Sequence, residues 1–225
     1  MMTWDFLKQN YFLVVYGLSF LMSLKSYRHY FDRPLRFFPM ILAYTFFNEL
    51  LGTLVTYSQD FQLVFSTQDH FRTSIIYNVY HLIFFAYFYW VIIQTFKPHL
   101  KNKWLYTSLG ILFLANIINP FYQDYFIYSQ VYAYITGAAV LLVLCAVYMA
   151  DLLGRKNYSP KHNLLFWTVL GLFIFHLLYI PIKICKEFFT SIYVLQLRNF
   201  HVFLVLAMHL LFCVGFARSR RNAYK

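Results

Sequence analysis

The chain has 225 residues, 61% hydrophobic and 12% charged, with 19 Lys and Arg against 8 Asp and Glu for a formal net charge of +11. A soluble domain runs at roughly 45–50% apolar and about 25% charged, so this composition excludes a water-soluble core and makes lipid the solvent of most side chains. The positive charge sits in short stretches between apolar segments, which argues against a nucleic-acid partner and for anionic headgroups.

Seven apolar segments follow one another, each near the length that carries a helix across about 30 Å of hydrocarbon. The first, Tyr11–Leu24, is short and completes a crossing only with its aromatic flanks. Ser23-Leu24-Lys25-Ser26 is a poor cleavage site, so no removed signal peptide is expected. The second, Phe37–Tyr57, carries Asn48 and Glu49 near mid-membrane, with Thr45, Glu49, Gly52 and Thr56 on one helical face. The third, Thr73–Phe96, places Asn78 and His81 one turn apart. The fourth, Trp104–Ile118, is again short, with Asn116 and Asn119-Pro120 at its end. The fifth, Ile127–Leu153, begins with Gln130 and Tyr134. The sixth, Leu164–Lys183, sets His176, Tyr179 and Lys183 on one stripe and contains Pro181, which is expected to kink its end. The seventh, Ser191–Ala217, opens with Gln196, Arg198, Asn199 and His201 and carries His209 deeper in. The expected fold is all-α: one domain of seven transmembrane helices without extramembrane modules.

Charge sets the expected orientation. Fourteen of the 19 Lys and Arg fall between segments one and two, three and four, five and six, or in the tail after segment seven. The positive-inside rule then puts the N-terminus outside and the C-terminus in the cytoplasm. Asn157-Tyr158-Ser159 matches a glycosylation sequon but falls in an expected cytoplasmic loop. Cys145, Cys185 and Cys213 have neither CxxC nor metal-ligand spacing and read as packing residues.

In that orientation the polar side chains of six segments share the outer half of the membrane, and the inner half is nearly bare. An ionised side chain at mid-bilayer costs about 2.5–3.5 kcal/mol on insertion scales, so these stripes should face the bundle interior. Glu49, the only acidic residue well inside a segment, should be neutral or paired with His81, His176, Lys183 or Arg198. Two readings follow: a structural clasp between helices, or an outward-open pocket for a small-molecule or lipid ligand. The pocket would comprise Asn48, Glu49, Asn78, His81, His176, Tyr179, Lys183, Arg198 and His201. It suits a sensor-like protein, whose signal would pass to a separate cytoplasmic effector.

Other chemistries fit less well. No HxxxH or HExxH occurs, and His201 and His209 lie eight residues apart, about 12 Å along an axis, so neither metal nor cofactor is expected. Glu49, Ser74, Asn78 and His81 resemble the early part of seven-pass metal-dependent hydrolases of the alkaline ceramidase and adiponectin-receptor type. That family's HxxxH in the last helix is missing, since Val205 stands four residues after His201. An intramembrane lipid hydrolase is therefore the alternative, and a small transporter or channel the next. A retinal protein is excluded, because the seventh segment has no Lys for a Schiff base. The strings Phe46-Phe47-Asn48-Glu49 and Tyr77-Asn78-Val79-Tyr80-His81, in a Tyr- and Phe-rich seven-pass layout, resemble small membrane proteins of Bacteroidota. The resemblance implies a bacterial inner membrane and no particular chemistry.

Overall fold

The computed structural model of the chain describes residues 11–31, 34–57, 73–154, 160–188 and 194–219. Among them are no strands and seven long helices: α1 (Phe12–Ser26), α2 (Phe38–Tyr57), α3 (Ser74–Ile93), α4 (Pro98–Ile118), α5 (Val131–Leu153), α6 (Leu164–Phe188) and α7 (Val194–Arg218). Short 3-10 turns at Tyr27–His29, Pro34–Phe37, Asn119–Phe121 and Pro160–His162 connect them. Each apolar segment coincides with one helix, and six, α2 to α7, are long and apolar enough to cross a membrane. With 15 residues α1 spans about 22 Å at 1.5 Å per residue, short of a hydrocarbon core of roughly 30 Å.

Helix ends depart from the apolar stretches for identifiable reasons. α4 starts at Pro98, ahead of Trp104, because Pro98 occupies the first helical turn behind an extended Lys97. The polar residues 99–103 continue the same helix, which hydropathy alone does not register. α5 starts at Val131 rather than Ile127, since the preceding residues form a loop that caps it. α6 runs through Pro181 to Phe188, and Pro181 lies on an exposed face of the helix.

The chain divides into two compact units, one made of Met1–Phe46 with Met149–Lys225 and the other of Phe47–Tyr148. In the first, α7 is the central helix. The contact pairs Ser19–His209 and Ser26–Phe216 advance together, so α1 and α7 run parallel. Gly171 faces Met208 and Phe212 while Gly215 faces Leu164 and Trp167, so α6 and α7 run antiparallel. These two glycines allow the close approach, as small residues do where helices meet in lipid. Phe38, at the start of α2, packs on Phe212 and Phe216 with ring centroids 5.4 Å away in both cases. In the second unit α3 packs on α4 and α5. The Tyr89 hydroxyl donates to the Gly137 carbonyl at 2.6 Å, and Phe85 fills the space that a side chain at Gly137 would need.

Candidate functional site

The polar residues of the second unit gather at the first turn of α5. A helix start leaves backbone N–H groups without intrahelical partners. Here three of them are met by side chains from elsewhere. Asn78 Oδ1 accepts from Gln130 N at 3.0 Å, Gln123 Oε1 from Val131 N at 3.0 Å and Asn119 Oδ1 from Ala133 N at 2.8 Å. Asn78 Nδ2 in turn donates to the carbonyls of Tyr125 and Tyr128, at 2.8 and 3.0 Å. Asn119 Nδ2 donates to Gln123 Oε1 at 3.1 Å, and Gln130 Nε2 to the Gln123 carbonyl at 2.7 Å. Asn78, buried on α3, thus fastens the loop before α5 with every polar atom of its amide. Burial pushes the Tyr125 phenol above its ordinary value, so it remains neutral beside this network.

One amide oxygen stays over. Gln130 Oε1 is buried without a hydrogen-bond partner among the described residues. Beside it lies a small cavity lined by Asn78, His81, Asn116, Gln130 and Tyr134, with about 10 Å³ of space, room for one water. His81 is half-buried, its ring edge-on to Tyr134 at 4.7 Å. Glu49 accepts a hydrogen bond from the Tyr77 hydroxyl at 3.1 Å, a partner on α3 absent from the expected set. Asn48 is buried, and its Nδ2 has no partner among the described residues. A larger space of about 520 Å³ between α4 and α5 is bordered mainly by apolar residues, including Ile111, Leu114, Ile118 and Tyr132.

His176, Tyr179, Lys183 and His201 belong to the first unit, on α6 and α7. Their stripe spacing brings them together with Phe175. The Tyr179 and His201 rings stack at 4.4 Å and 25°, and Phe175 stacks on Tyr179 at 5.2 Å. His176 is buried, with Nδ1 set 2.9 Å from the Leu172 carbonyl, which makes Nδ1 the protonated nitrogen. Lys183, one turn beyond Tyr179, is also buried. The backbone of Arg198 lies in α7, and its side chain is outside the described residues.

Below this cluster, Ser19 of α1 and His209 of α7 meet at 2.8 Å between Oγ and Nδ1. Ser19 Oγ also donates to the Tyr16 carbonyl at 2.9 Å, so Nδ1–H is the donor to Ser19. His209 Nε2 is then a buried acceptor with no hydrogen-bond partner among the described residues. Ser19 was not among the expected site residues. Its signal was present, since Ser19, Ser23 and Ser26 fall on one face of α1 and all three are buried.

The chain matches no protein-family model, no curated protein and no solved structure. Among the described residues no three His, Cys, Asp or Glu side chains lie close enough together to hold a metal ion.

Proposed function

We propose that this is a multi-pass membrane protein that binds a small amphipathic anion through the Phe175, His176, Tyr179, Lys183 and His201 cluster, in the manner of a sensor. The observation that carries this reading is a buried Lys183 one turn along α6 from Tyr179, whose ring stacks on His201 of α7. A lysine near a helix end ordinarily extends its amine to water. Here the lysine side chain is buried one turn beyond Tyr179, so a carboxylate or phosphate whose apolar tail follows the helices would meet a cation beside aromatic rings. Glu49, Asn48, Asn78 and His81 form the second polar group of the same reading.

The test is a titration of purified protein in neutral detergent with decanoate, read by thermal stability. Wild type is expected to gain about 2.7 kcal/mol at 100 times the dissociation constant, by mass action. Lys183→Met and His201→Phe proteins that stay monodisperse should gain almost nothing. An equal gain in all three, or none in wild type, would falsify the reading.

The orientation belongs to the same proposal, with the N-terminus out, α1 completing a seventh crossing and the membrane a bacterial inner one. A periplasm-dependent reporter enzyme fused at the C-terminus should be inactive, and the same reporter in the α2–α3 connection should be active. The reverse pattern would invert the topology and put the Lys183 cluster on the cytoplasmic side.

A further inference from the structure

The opposite end of the first unit carries a different arrangement. Four chain segments converge there. Ser26 Oγ, at the end of α1, donates to the Phe216 carbonyl at 3.2 Å. Tyr30, just beyond, packs on the Phe216 ring at 5.9 Å, and Phe38 at the start of α2 packs on the same ring at 5.4 Å. His162, before α6, lies with Nδ1 3.1 Å from the Arg218 carbonyl at the end of α7. This convergence brings Lys25, Arg28, Arg36, Lys161 and Arg218 to one end, all of them exposed. The described carboxylates of the unit are Asp151, in the last turn of α5, and Glu187, at the far end of α6.

Within that end, one spot is organised rather than merely basic. The Arg218 guanidinium lies over the Trp167 ring, 5.5 Å from its centroid. The same indole donates from Nε1 to the Lys161 carbonyl at 3.0 Å. Trp167 therefore orients the guanidinium on one side and tethers the Lys161 backbone on the other, while His162 bonds back to Arg218. The indole carries the guanidinium and holds the Lys161 backbone, and His162 bonds the Arg218 carbonyl, so this corner gathers an arginine, a lysine and a histidine suited to phosphate, of which the guanidinium can hold two oxygens at once. Depth identifies the source of the phosphate. Leu164–Glu187 and Asn199–Arg218, both long and apolar enough to cross a membrane, begin and end at this spot, so a crossing by these helices would set it at headgroup level. An indole at that level is itself an interface anchor.

From this we infer that the Trp167–Arg218–Lys161 corner is a binding site for the headgroup of an anionic phospholipid, at the α6–α7 end remote from Lys183. The site is independent of the decanoate reading and stands if that reading fails.

The test uses the full chain reconstituted in vesicles of phosphatidylcholine, with trace spin-labelled phosphatidylglycerol or spin-labelled phosphatidylcholine. The readout is the relative association of each label with the protein. Wild type should favour the phosphatidylglycerol label about threefold, as basic residues near a surface attract anionic lipid. Lys161→Gln/Arg218→Gln should reduce that preference to near one. Lys25→Gln/Arg28→Gln, which removes the same charge at the same end, should keep most of it. Trp167→Phe, which keeps both cations but loses the tether, should fall in between. The inference is overturned if wild type shows no preference or if Lys161→Gln/Arg218→Gln retains it. It is equally overturned if the two double variants lose it alike, since the effect would then belong to net charge.

Discussion

Asn78→Ala is expected to destabilise the folded chain by about 3 kcal/mol, from three hydrogen bonds at roughly 0.5–1.5 kcal/mol each. The loss is large because the three partners lie on one short stretch. Asn78 Nδ2 holds the Tyr125 and Tyr128 carbonyls, and Oδ1 holds Gln130 N. With the amide gone the loop before α5 has no fastening to α3 at this point. Asn78→Asp, of the same size, keeps one acceptor but turns a second oxygen on the two carbonyls, and should lose at least as much. Thermal melting in detergent measures the energy, and limited proteolysis between residues 121 and 130 reports loop release. A variant that melts like wild type and resists proteolysis would show that the clasp contributes little.

Gly215→Val should cost a similar amount by a different mechanism. A Cβ at Gly215 would meet Trp167 Cβ and Leu164 Cδ1, both at 2.9 Å. The leucine methyl can turn aside, but Trp167 Cβ is fixed next to its backbone, so α6 and α7 must separate. Overpacking of this kind costs about 1–3 kcal/mol, and a branched side chain belongs at the upper end. At Gly171 the nearest atoms are Phe212 Cε1 at 3.2 Å and the Met208 carbonyl oxygen at 3.3 Å. Gly171→Ala should therefore be milder and Gly171→Val severe. Separation of the two helices should also disturb the Tyr179–His201 stack and the Trp167–Arg218 contact, which both bridge α6 and α7. Gly215→Val with unchanged melting would mean that the helices pack at a wider spacing.

Hydropathy located all seven helices because the requirement it reads is local: in lipid, a long run of apolar residues must satisfy its own backbone, and a helix is the way to do so. The stripes were legible for the same reason. His176, Tyr179 and Lys183 share a face by spacing alone, and His201 lies against Tyr179 in the structure. Helix ends were less legible. The starts of α4 and α5 depend on Pro98 and on the capping side chains of residues 78, 119 and 123, not on the apolar run.

Partner choice was decided by tertiary structure. Ser19 and His209 are 190 residues apart in sequence, and Asn78 and Gln130 are 52 apart. Sequence periodicity states which face of a helix is polar, but not which other helix that face meets. Glu49 illustrates the limit: spacing left it neutral or paired with His81, His176, Lys183 or Arg198, and did not point to the Tyr77 hydroxyl that donates to it. A half-buried carboxylate in an apolar helix draws a donor, and composition narrows the candidates, but the packing of α2 on α3 brings the Tyr77 hydroxyl to it. The sequence alone thus determined an all-helical chain for lipid, because that rests on composition and local pattern. The clasp at α5, the aromatic stack at Lys183 and the Trp167 corner came only with the tertiary structure, because each depends on which helices approach within a few ångströms.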